Sequence, residues 1–300
     1  MNHLLKIDIP VEWEGLMIKE ILLEHYNFSR KSLTNLKNNK GIYLNDIPTF
    51  VTMRVNKGDT LNVYVIKETS IDIIPQPIPL DIFYEDKDII VINKPANIVV
   101  HPTRNHYLNT IANGLIYYWQ EKGVQYRFRP VHRLDRDTSG LFVIAKNQYS
   151  HHKLALQLND KNLKRIYHGI VHGRVKDDHG VIEAPILKDP NHGMKRIVEV
   201  DNLEAKLAKT YYKTIKSNDC YSLIELELAT GRTHQIRVHM AWIGHPLIGD
   251  DLYGGNTKIF KRQALHAMKL EFFHPITGKP LSFEATYPDD MKNFLDTYLN

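Results

Sequence analysis

A single cysteine, Cys220, occurs among the 300 residues. An internal disulfide is therefore impossible, and a cysteine-based zinc site is excluded with it. A chain without disulfides suits a reducing setting, which predicts a cytoplasmic protein. Long apolar runs are missing as well. No stretch approaches the roughly 20 residues needed to span a bilayer, so no membrane association is expected. The opening MNHLLKIDIPVEWEG has neither the basic start nor the apolar run of a signal peptide. The patterns GxGxxG, GxxxxGK[ST] and GxSxG are all absent. Their absence withdraws support from dinucleotide binding, P-loop phosphate chemistry and hydrolase-elbow chemistry.

What is present is ordinary in bulk. Charged residues make up 24% and hydrophobic ones 43%, as in soluble globular proteins. Lys and Arg number 39 against 34 Asp and Glu, for a net charge of +5. That mild excess fits an anionic partner such as nucleic acid without demanding one. At this length one or two domains are expected.

Residues 1–70 read as a small module. Met17, Ile21 and Leu22, then Leu33 and Leu36, follow helical spacing, joined by the cap-like Asn27-Phe28-Ser29. Residues 41–46 read as a strand and turn, and residues 60–65 as a strand. Arg30, Lys31, Lys37 and Lys40 form a basic run without an acid; a solvated helix face explains it as well as RNA does. Pro75, Pro77 and Pro79 mark an extended linker over residues 71–81. Residues 82–300 form the larger domain. Apolar runs predict strands at 88–92, 140–145, 167–171, 221–228, 265–273 and 281–286. Helices are expected around Leu108–Trp119 and behind Asp289-Asp290. Strands outnumber helices and come in mixed order, so the fold class is α+β, with a mixed, mainly antiparallel sheet and flanking helices.

The most informative stretch is HRLDRDTSG, from His132 to Gly140. It places one carboxylate, Asp135, between arginines at a loop-to-strand corner, with Ser139 read as a turn residue. An aspartate in such company is more often a structural ion pair. A corner held by rigid elements is also where catalytic groups are placed. GRTHQIRVHM, from Gly231 to Met240, adds Arg232 and Arg237; Ile236, Met240 and Ile243 follow helical spacing, with Gly231 and Thr233 at the start. Arg237 lies beside an inward position, aimed at a cleft or its rim; a surface arginine with a snorkelling stem is the plain alternative. Tyr167, two residues after Arg165, reads as a core tyrosine when taken alone. Sixteen histidines invite a metal reading, but His234, His239 and His245 are not spaced as in HExxH, so no metal site is expected.

Together these residues resemble the RluA-type pseudouridine synthases. NKPANIVVHP (Asn93 to Pro102), HRLDRDTSG, KRIYHGIVHGRV (Lys164 to Val175) and GRTHQIRVHMAWIGHPLIGDDLYGG (Gly231 to Gly255) match the family's blocks in order. The likeness covers nearly the whole chain. The family pattern has glycine where Asn97 stands and alanine where Gly169 stands. The first module, opening GLMIKEIL, resembles the small RNA-binding fold named after the fourth small-subunit ribosomal protein.

The resemblance implies uridine isomerisation in structured RNA, ribosomal RNA before transfer RNA, by a monomer needing no cofactor. It implies Asp135 as the catalytic carboxylate, Tyr167 stacked on the target base and Arg237 paired with the aspartate. Arg133, Arg165, Arg232, His132 and Lys94 are expected to contact RNA or brace the site. A non-catalytic RNA-binding assembly factor and a metal-dependent hydrolase are the competing classes.

Overall fold

The computed structural model describes residues 3–66, 68–103 and 106–299; the ends of the predicted module and domain at residues 1 and 300 lie outside them. The chain begins with β1 (His3–Asp8), followed by α1 (Ile18–Glu20), which runs into a single π-helical turn at Ile21–His25. Then come α2 (Arg30–Asn38), β2 (Ile42–Leu44), β3 (Ile47–Pro48) and β4 (Thr60–Tyr64). The four strands form an antiparallel sheet in the order β1-β4-β2-β3. Asn27 takes a left-handed backbone at φ 55°, and the Ser29 hydroxyl caps α2 by accepting from Ser32 N at 3.0 Å. Ile18, Ile21, Leu22 and Leu36 bury against Leu61 and Val63 of the sheet.

The remaining elements build a larger sheet. They are β5 (Asp81–Glu85), β6 (Ile89–Lys94), α3 (Ile111–Glu121), β7 (Ser139–Ala145), α4 (Gln148–Asn159), β8 (Lys164–His172) and β9 (His179–Glu183). After them come β10 (Ile186–Lys188), β11 (Arg196–Val198), β12 (Lys209–Ser217), β13 (Tyr221–Leu228) and α5 (Gln235–Trp242). The chain closes with β14 (Leu265–Phe273), β15 (Pro280–Glu284) and α6 (Asp289–Tyr298). The strand order is β5-β6-β7-β14-β8-β13-β12-β9, with β15 also paired to β14. Among the described residues, β7 with β14 is the one parallel pair of strands in the sheets. Strands β10 and β11 form a separate antiparallel ribbon.

Strict alternation splits the central strands between two cores. Ile90, Ile92, Phe142 and Ile144 face Leu115 and Trp119 of α3. Ile89, Val91, Leu141 and Val143 face the opposite way, with Leu154 of α4. Both faces being covered explains why β6 and β7 read as unbroken apolar runs. Helix α4 also meets the small sheet's unit: the Tyr149 ring lies 4.3 Å from that of Phe28, and its hydroxyl donates to Tyr26 O at 2.8 Å.

The proline segment carries no helix or strand from residue 71 to 80, and it is not a free spacer. Ile73 is buried in the core, and Asn113 of α3 donates to Ile74 O at 2.7 Å and accepts Gln76 N on its own carbonyl at 3.1 Å. Gly114 lets Ile78 pass: a Cβ there would lie 3.0 Å from that of Ile78. Leu108 precedes α3 instead of opening it. Ser139 is the first residue of β7, not a turn residue.

Candidate active site

Asp135 sits in the turn leading to β7, its carbonyl accepting Thr138 N at 3.2 Å. Leu134 next to it is sunk in the core, which fixes the turn while leaving the carboxylate partly open. Helix α5 brings up Arg237, whose Nη1 lies 3.6 Å from Asp135 Oδ2. His234 caps that helix in a left-handed conformation, φ 58°, so α5 starts later than Gly231 and Thr233 suggest. Its Nε2 stands 3.9 Å from the same carboxylate oxygen, and its Nδ1 meets the Tyr253 hydroxyl at 3.0 Å. A non-glycine residue in this backbone region stores strain, a common mark of functional sites. Burial pulls the His234 imidazole down from its ordinary value, against the raising effect of the Asp135 charge.

Arg237 is gripped from two sides. Asp250, fully buried, takes Nε at 2.7 Å and Nη2 at 2.8 Å. The Tyr253 ring lies 5.0 Å from the guanidinium carbon. Burial works most strongly against the Arg237 charge, yet the Asp250 hydrogen bonds together with the charges of Asp250 and Asp135 outweigh it and hold the group above its ordinary value. Burial pushes the Tyr253 phenol up to about 12, which keeps it protonated.

Tyr167 lies on β8, buried against Ala267 of β14 and Leu226 of β13 in register. Burial raises its phenol; the Arg165 charge opposes this and the Asp135 charge adds to it. Arg165 is buried beside Gly231, where a Cβ would come within 2.9 Å of Nη1, so glycine at 231 makes room for the guanidinium. Arg133 is exposed two residues ahead of Asp135. Arg232 is exposed too, and its Nε donates to Leu207 O at 3.0 Å.

Two of the expected substrate contacts fall elsewhere. Lys94 is buried and spends its ammonium on three carbonyls: Pro95 O at 2.8 Å, Ile98 O at 2.9 Å and Arg136 O at 2.8 Å. All three of its donors are used, so it braces the Asp135 loop instead of reaching a ligand. Burial lowers its pKa to about 7. His132 is turned inward, edge-on to Phe142 at 6.4 Å, and neither ring nitrogen finds a partner among the described residues. Burial pulls it down to about 3, so it packs as a neutral ring.

The three spaced histidines do not meet on an ion. His239 is buried between Thr210 Oγ1 and Ala184 O, both at 2.9 Å, and His245 Nδ1 meets His172 O at 2.9 Å. Asp86, Asp88 and His274 do converge, all within 4.8 Å. There His274 Nδ1 accepts Ile276 N and Thr277 N, leaving Nε2 to donate to Asp86 Oδ2 at 2.9 Å. The ring nitrogen a metal would need is thus engaged with Asp86.

Residues 88–242 match the family model described as RNA pseudouridylate synthase, which spans the Asp135 turn, Tyr167 and Arg237. The chain belongs to the RNA pseudouridylate synthase family. Residues 5–61 match a second model, described as the N-terminal domain of the RluD ribosomal pseudouridine synthase. The chain is 40% identical over 298 residues to an uncharacterized RNA pseudouridine synthase of Bacillus subtilis (strain 168), covering 99% of this chain and 98% of that protein. It is 38% identical to the ribosomal large subunit pseudouridine synthase D of Neisseria meningitidis (strain Z2491), covering 96% and 80%. A human protein titled RNA pseudouridylate synthase domain containing 4 shares the fold, with a TM-score of 0.60 at 23% identity over 72% of this chain and 91% of that one. The α+β pseudouridine synthase fold and the RNA pseudouridine synthase activity read from the motifs therefore stand. No described helix is long and apolar enough to cross a membrane.

Proposed function

We propose that this chain converts specific uridines of large-subunit ribosomal RNA to pseudouridine, with Asp135 as the reacting carboxylate. The observation that carries the reading is the placement of Asp135: partly open, 3.6 Å from the Arg237 guanidinium, and close enough to Tyr167 for its charge to raise that phenol. An adjacent guanidinium favours the ionised form of a carboxylate. The anion can act on the ribose, as nucleophile at C1′ or as base at C2′. The N1–C1′ bond breaks, the base turns, and C5 bonds to C1′; C5 loses a proton and N1 gains one. Nothing is oxidised or hydrolysed.

Tyr167 offers its face to the detached base, a contact worth about 1–3 kcal/mol. A stacked uridine cannot reach Asp135, so the target flips out, at least cost in a loop. Arg133 and Arg232 lie exposed and suit phosphate contacts, while the buried Arg165 acts on Tyr167 through its charge. On the small module, Arg30, Lys31, Lys37 and Lys40 are all exposed and suit the RNA backbone. The ribosomal target draws support from the names of the relatives and from the N-terminal match. The reading includes a cytoplasmic monomer made of an RNA-binding module (1–70), a connecting strap (71–81) and a catalytic domain (82–300).

Asp135→Asn should abolish isomerisation while RNA binding persists. Pseudouridine mapping of ribosomal RNA from cells carrying only this variant is the check. Full modification at the target would refute the role given to Asp135.

A further inference from the structure

Two carboxylates compete for one guanidinium in this site, and they hold unequal shares. Arginine pairs best with a carboxylate through two parallel N–H donors. Asp250 has that arrangement with Nε and Nη2, at 2.7 and 2.8 Å, and is fully buried. Asp135 is left with Nη1 at 3.6 Å, beyond hydrogen-bond length. Asp250 is itself fixed by a reversal of the chain. Its carbonyl accepts Tyr253 N at 3.2 Å and Gly255 N at 2.7 Å. A Cβ at Gly249 would collide with the Arg262 carbonyl, and one at Gly255 with the Leu247 carbonyl. Tyr253, within the same turn, covers the face of the guanidinium at 5.0 Å.

We propose that Asp250 is a positioning residue for the isomerisation, holding Arg237 so that only one of its nitrogens faces Asp135. The inference rests on the assignment of Asp135 as the reacting carboxylate. Asp250 has no exposed surface, so it cannot touch RNA and acts through Arg237 alone. Its function is restraint. A guanidinium released from Asp250 would close its fork on Asp135 and occupy the oxygens that must meet the ribose. Held as it is, Arg237 supports the Asp135 charge from one side and leaves the carboxylate free.

The test uses the full chain and a transcript of large-subunit ribosomal RNA labelled with tritium at uridine C5, which is released as the new bond forms. Wild type is compared with Asp250→Asn, Asp250→Glu and Asp135→Asn, with a thermal melt of each. Asp250→Asn should lower kcat by at least about tenfold, the scale of a misplaced reacting group, with KM for the transcript nearly unchanged. Asp250→Glu, which keeps the charge, should recover part of the loss. An unchanged kcat in Asp250→Asn, or a loss wholly in KM, overturns the proposal. If Asp250→Asn does not melt cooperatively, Asp250→Glu decides: lowered kcat at constant KM supports the role, and wild-type kcat overturns it. Tritium release by Asp135→Asn would instead overturn the assignment of Asp135. An inactive Asp135→Asn beside an unimpaired Asp250→Asn removes only the role of Asp250.

Discussion

Gly140 runs so close to Ala267 that a Cβ on it would lie inside the backbone of that residue. The two are register partners in the parallel pair of β7 and β14, where the Asp135 loop enters the sheet. Gly140 also has φ +111°, a conformation that side-chain-bearing residues rarely adopt. Gly140→Ala should therefore cost more than about 3 kcal/mol, from backbone strain and the clash together. Denaturant unfolding measures it, and a midpoint equal to that of wild type would contradict the packing described.

Acid should unfold the protein partly through two buried histidines. Burial holds His266 at about 4 and His132 at about 3, against an ordinary 6.5. Between 6.5 and 4 the unfolded chain binds protons at both positions and the folded chain does not. Stability from these groups is thus complete above pH 6.5 and is lost as pH falls toward 4. Each contributes a slope of up to about 1.4 kcal/mol per pH unit. Melts from pH 7.5 to 4 should show a falling midpoint, and His132→Leu should make the fall shallower. An identical slope in the variant would show that His132 is not held neutral.

The exposed cations of the small module should affect binding and not chemistry. Replacing Arg30, Lys31 and Lys37 with alanine should weaken RNA binding and leave single-turnover isomerisation at saturating RNA unchanged. If each contacts a phosphate, the slope of log K against log salt should shrink by about 0.7 to 0.9 per residue removed. A titration over several salt concentrations gives that slope, and an unchanged value would leave these residues as a solvated face only.

The legible parts of the fold were those with strong local periodicity. The unbroken apolar runs of β6 and β7 and the helical spacing of Ile236 and Met240 needed no tertiary information. Strand β12, KTYYKTIKS, is hidden in the sequence because its inward side carries Thr210 and Thr214 while Tyr211 and Ile215 face outward, which inverts the usual apolar-in alternation. Helix α4 escaped because a single buried side is shared between two cores, leaving a weak stripe.

Within the site, Asp135, Tyr167 and Arg237 could be picked out by residue type and motif, but their restraints could not. Asp250 and Asp251 are indistinguishable neighbours in the sequence, and only the glycine-built turn buries the first and exposes the second. Lys94 looked like a cation for an anionic ligand. Its reach to Arg136 O, 42 positions along the chain, depends on β6 lying beside β7. His234 drew attention as a metal candidate, and nothing local revealed that it caps α5 beside Asp135.

Strand β14 lies between β7 and β8, pairing with Ser139 on one edge and with Tyr167 on the other. The aspartate turn and the tyrosine strand are therefore joined by a segment made more than a hundred residues after Asp135 and nearly as many after Tyr167. A chain synthesised only as far as β13 holds the Asp135 turn and the Tyr167 strand without the piece that brings them into register. A truncation that stops before residue 265 should therefore fail to release tritium from the labelled transcript even where the Asp135 turn and the Tyr167 strand are both present.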